Sequence, residues 1–99
     1  MYTVIRHYTG PANLADELKA RSKDIETLIS GVPGFINYYL IKTGNGAVTV
    51  TVCDDRAGCD ESTKRAASFI RENLKNLEIP APQIITGELA FKTSSKTSV

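Results

Sequence analysis

Ninety-nine residues, 41% hydrophobic and 23% charged, suffice for one domain with a modest core. A net charge of +1, with acids and bases interspersed, excludes the electrostatic footprint of a nucleic-acid or anionic-membrane binder. No run approaches the roughly 18 apolar residues of a membrane span, and no basic stretch leads into an apolar one, so the cytoplasm is the expected compartment.

Tyr2 to Thr9 is rich in β-branched and aromatic residues and stops at Gly10-Pro11, which predicts a first strand. Leu14, Leu18, Ile25, Leu28, Ile29 and Val32 then recur as one face of a single helix. Gly10 with Pro11, or Asn13 as cap, could start that helix, and Gly31 suits its end. Val32-Pro33-Gly34 turns the chain into a second strand, Phe35 to Thr43. Gly44-Asn45-Gly46 supplies a tight hairpin into Ala47 to Cys53, where Val48-Thr49-Val50-Thr51-Val52 alternates strictly. Asp54 to Gly58 reads as a loop, with Asp60 or Ser62 capping a second helix that buries Ala66, Phe69, Ile70, Leu74 and Leu77. Pro80-Ala81-Pro82 ends it, Gln83 to Phe91 is the fourth strand, and 92–99 is a flexible tail after a single domain over 1–91.

The order βαββαβ is the ferredoxin-like α+β plan: an antiparallel sheet of strand order 4-1-3-2 with both helices on one face. The valines of strand three are expected beneath the helices, sending Thr49 and Thr51 to the open face. A three-residue hairpin loop puts Ile36, Tyr38 and Leu40 beside the valines; a two-residue loop puts Phe35, Asn37, Tyr39 and Ile41 there. The three-residue loop is preferred because it keeps Asn37 from lying under a helix without a partner. Arg6 is likewise placed on the open face, with Tyr2, Val4 and Tyr8. In strand four, Ile85, Leu89 and Phe91 are assigned to the helices and Ile84, Thr86 and Glu88 to the open face. An open face carrying Tyr39, Ile41 and Ile84 is too apolar to leave in water, and a homodimer joined through the sheets covers it.

In length, element order and the Val32-Pro33-Gly34-Phe35 turn, residues 2–91 resemble the dimeric α/β-barrel superfamily, and within it the antibiotic-biosynthesis-monooxygenase-like proteins. The resemblance implies a two-chain barrel. It also implies a company of cofactor-independent oxygenases, haem-degrading enzymes, isomerases and proteins without known activity, among which fold does not transfer activity. The chain has no Trp and a single His, His7 on strand one, so a haem-degrading triad of Asn, Trp and His has no counterpart.

His7 is the one candidate general base, against the commoner case of a strand-end histidine satisfied locally. Arg6, Asn37, Tyr39, Thr49, Thr51 and Glu88 are the candidate ligand-binding residues of the helix-free face, with an Arg6–Glu88 cross-strand ion pair as the plainer alternative. Tyr8, Tyr38, Tyr39 and Phe35 suit either a planar ligand or ordinary core. Asp54, Asp55, Asp60 and Glu61 lack the rhythm of a calcium loop and read as caps and dipole partners. Cys53 and Cys59 have no zinc spacing and are expected reduced, so neither metal nor cofactor is called for. Strand three lacks the basic and aromatic residues of an RNA-recognition motif, and phosphate loops and nucleophile elbows are missing. Two functions remain: a cofactor-independent monooxygenase-like or isomerase-like enzyme acting on a small planar compound, or a non-enzymatic ligand-binding or regulatory dimer.

Overall fold

The computed structural model describes residues 1–95; residues 96–99, half of the tail expected to be flexible, lie outside it. The elements run β1 (Tyr2–Tyr8), α1 (Leu14–Ala20), α2 (Ser22–Ser30), β2 (Phe35–Thr43), β3 (Gly46–Cys53), α3 (Arg56–Asn73) and β4 (Gln83–Glu88). All strand pairs are antiparallel in the order β2-β3-β1-β4, the ferredoxin-like arrangement expected from the sequence. Among the described residues no helix is long and apolar enough to cross a membrane.

The first predicted helix is two. Its chain breaks at Arg21, whose backbone N–H reaches back to the carbonyls of Leu18 and Lys19 while its side chain bonds Glu17. Leu14, Ala15 and Leu18 are buried from α1, and Ile25 and Ile29 from α2. The six residues between Leu18 and Ile25 span the break, and there the buried stripe is re-aimed. The second predicted helix begins earlier than expected. Asp55, not Asp60 or Ser62, is its cap, accepting from the Gly58 N–H at 2.9 Å. β4 ends at Glu88 rather than Phe91 because its partner runs out. Glu88 pairs with Tyr2, and one further bond joins Leu89 N–H to the Met1 carbonyl.

The hairpin has a two-residue loop, with Thr43 opposite Gly46, and β2 is irregular between Phe35 and Asn37. Asn37, Tyr39 and Ile41 therefore lie opposite Val52, Val50 and Val48, and Tyr38 and Leu40 opposite Thr51 and Thr49. Tyr38 and Leu40 pack on the helix-side core, as expected, with Tyr8, Leu14, Leu18, Ile25, Ile29, Ala47 and Leu74. The expectation for β1, β3 and β4 is reversed. Val4, Arg6, Tyr8, Thr49 and Thr51 are buried beneath the helices, and Val48 and Val50 take the helix-free face. Ile84 pairs with Arg6 and joins the helix side; Ile85 pairs with Ile5 and is 67% exposed on the other.

Two glycines mark close approaches. A Cβ at Gly46 would collide with the Tyr8 carbonyl oxygen, where the hairpin abuts the end of β1. A Cβ at Gly58 would stand 2.8 Å from the Pro33 carbonyl oxygen and 2.9 Å from the Cys53 Cβ, where α3 is seated on β3.

Candidate functional site

Arg6 occupies the middle of β1 and is 1% exposed. Its guanidinium lies between the sheet and α3 in a ring of hydroxyls. Nε donates to Thr63 Oγ1 at 3.2 Å and Nη2 to Ser62 Oγ at 2.6 Å. Nη1 donates to Thr49 Oγ1 and Thr51 Oγ1, both at 3.1 Å. Ser62 is itself fixed by donating to the Cys59 carbonyl at 2.7 Å, so its oxygen faces the arginine as an acceptor. This ring explains why two threonines can be buried on β3: each hydroxyl has a donor, and a buried hydroxyl without one would cost about 1–3 kcal/mol.

No carboxylate pairs with Arg6 among the described residues. The expected Arg6–Glu88 bridge does not form, since Arg6 lies opposite Ile84 and Glu88 opposite Tyr2 at the strand's other end. Burial pushes the guanidinium below its ordinary range, opposed by the nearby Tyr8 and Tyr38 phenols and the two cysteines. Burial likewise raises Tyr8, and raises Tyr38 to about 12, with Arg6 pulling each back.

Beside this ring opens a cleft of about 540 Å³. Its floor holds Arg6, Tyr8 and Thr63; α3 contributes Ala67, Ile70 and Arg71; the chain from Leu74 to Pro82 and Ile84 of β4 close the far side. The segment after α3 can wall the cleft because Leu74 is buried in the core and Leu77 N–H bonds its carbonyl, while Pro80 and Pro82 hold the chain extended into β4. Arg71 and Lys75 stand at the rim, and among the described residues no Asp, Glu or His lines the space.

The structure thus divides the candidate residues. Arg6, Thr49 and Thr51 come together, on the face opposite the one expected. Asn37 and Tyr39 lie on the helix-free face beside the valines, and His7, opposite Val48 and Gln83, lies there too. Ser62, expected only as a possible helix cap, and Thr63 were not anticipated as partners of Arg6. Their signal is positional: Ser62 falls one turn before Ala66 on the buried stripe of the helix, where a small polar residue needs a partner. Cys53 and Cys59 are buried free thiols where β3 meets the first turn of α3; burial and the neighbouring thiol push Cys53 up to about 11. Among the described residues no group of three or more His, Cys, Asp and Glu side chains converges on a metal position.

No protein-family model matches the chain, and no curated protein matches it significantly. Solved structures do. The haem degrader MhuD of Mycobacterium tuberculosis, whose structure has two haems in its active site, matches with TM-score 0.70 and 16% identity over 95% of this chain and 100% of the other. MupZ of Pseudomonas fluorescens matches with TM-score 0.69 and 15% identity over 99% and 97%. A dimeric ferredoxin-like protein from an uncultured marine organism matches with TM-score 0.63 and 15% identity over 95% and 96%. Likeness at this identity establishes the fold alone, a ferredoxin-like one shared with these proteins.

Proposed function

We propose that the chain is a small-molecule protein of the monooxygenase-like kind that takes a planar, largely apolar compound in the cleft between α3, the Leu74–Pro82 segment and the sheet. The observation that carries this reading is the cleft itself. Its size lies in the range of small-ligand sites, roughly 300–1,000 Å³, and its walls are aliphatic over a floor with a few fixed polar groups. The working unit is a homodimer, because the helix-free face carries Ile5, Val48 and Val50 half-buried and Tyr39, Ile41 and Ile85 exposed.

In the enzymatic form of this reading, Arg6 stabilises the anion of an enol or phenol in a water-poor space, as cofactor-independent oxygenation or isomerisation requires. The non-enzymatic form is favoured by one specific feature: among the described residues the cleft has no Asp, Glu or His to act as a general base. His7 lies across the sheet, so the cleft presents no imidazole to a haem iron either.

Binding of the neutral planar fluorophore N-phenyl-1-naphthylamine tests the reading. Saturable binding at one site per chain is expected, abolished in Ala67→Trp, which fills the cleft from an exposed position of α3. Equal binding by that variant, or none by the parent protein, would overturn it.

A further inference from the structure

Among the described residues Arg6 is a charge without a counter-charge. An arginine has five N–H donors, and the ring of hydroxyls takes four, which leaves one N–H of Nη2 unused. Hydroxyl dipoles solvate a cation but do not neutralise it, and burying an unneutralised charge is unfavourable. A protein that needed only packing here could use an aliphatic residue, with valines in place of Thr49 and Thr51. Instead four hydroxyls hold the guanidinium rigidly in a residue that itself lines the cleft. Tyr8 stands beside it in the same lining, and its phenol has no hydrogen-bond partner among the described residues. The three charged residues of the lining, Arg6, Arg71 and Lys75, are all cationic.

We infer that the compound taken by this cleft is a carboxylate, an anion on an apolar body, whose charged end is received by the free edge of Arg6 and the hydroxyl of Tyr8. The inference rests on the reading of the cleft as a ligand site and adds the ligand's chemical class. One free N–H, one phenol and one buried charge match a monoanion; a phosphate dianion, with more oxygens to satisfy, would leave most of them unpaired in an apolar enclosure. The apolar body then lies along Ile70, Leu77, Ile79 and Ile84, and Arg71 and Lys75 at the rim draw the anion in.

The test is competition against N-phenyl-1-naphthylamine by two ligands of one shape, 2-naphthoate and 2-naphthamide, at pH 7. A charge-assisted contact in a dry site predicts about ten- to a hundredfold tighter binding of the carboxylate. In Arg6→Met that preference collapses to about one, while in Lys75→Ala it persists within a few-fold. Tyr8→Phe keeps the ring and lowers the preference for naphthoate over naphthamide several-fold, and it carries the test should Arg6→Met not fold. Equal affinities for naphthoate and naphthamide in the parent protein, with the fluorophore still bound at the cleft, would overturn the anion inference and leave the ligand site standing. Loss of the fluorophore site would instead remove the reading on which the inference rests.

Discussion

Substituting Gly58 by alanine puts opposite signs on two rules, and the structure decides between them. Gly58 lies in the first turn of α3, where helix propensity alone favours alanine by about 1 kcal/mol. The added Cβ, however, would stand 2.8 Å from the Pro33 carbonyl oxygen, 2.9 Å from the Cys53 Cβ and 3.2 Å from its Sγ. Two of these neighbours cannot retreat by rotating a side chain, so α3 must lift from β3. Overpacking of this kind costs about 1–3 kcal/mol, and lifting the turn strains the Asp55 cap, itself worth about 1 kcal/mol. The cap bond is made by the Gly58 N–H itself, at 2.9 Å. The balance is a destabilisation of about 1–3 kcal/mol, which for a domain of this size lowers Tm by about 5–20 °C. Differential scanning calorimetry reads it. Gly44→Ala is the control, since a Cβ there meets nothing within 4 Å and its Tm should barely move. A Gly58→Ala protein as stable as the parent, or more so, would show that α3 is not seated on β3 at this point.

Two further outcomes follow from the same packing. Cys53 is held protonated to about 11 and Tyr38 to about 12, against 9.0 and 10.0 ordinarily, so the folded chain keeps protons that the unfolded chain has lost. Their contribution is whole below pH 9 and falls as pH rises through 11 and 12, at up to about 1.4 kcal/mol per pH unit for each group. Urea midpoints between pH 8 and 11 measure it, and a flat profile would refute the burial assigned to these groups. On the helix-free face, Tyr39→Asp places a charge beside Val50 and should convert a dimer into a monomer with its near-ultraviolet spectrum retained. Sedimentation velocity decides, and a parent protein that is monomeric at micromolar concentration would refute the covered face.

The element types, their order and the sheet topology were legible because each rests on local signals: the Val-Thr alternation of β3, the turn at Gly44-Asn45, and the apolar stripe of α3. Helix boundaries were not. Arg21 breaks the first helix through its own backbone and side-chain bonds, without glycine or proline to announce it. The face assignment failed for a more instructive reason. Alternation shows which residues share a face, and the assumption that valine goes under a helix and arginine does not then chose between the faces. That assumption prices a buried guanidinium as unpartnered. Here the partners come from the same parity that buries it: Thr49 and Thr51 turn inward with Arg6, and α3 lays Ser62 and Thr63 over them. The four hydroxyls and the arginine are thus one decision, invisible when each residue is scored alone. The valines displaced by that decision gather on the helix-free face, which makes it more apolar than the sequence reading supposed. The polar core and the case for a covered sheet therefore have a common cause.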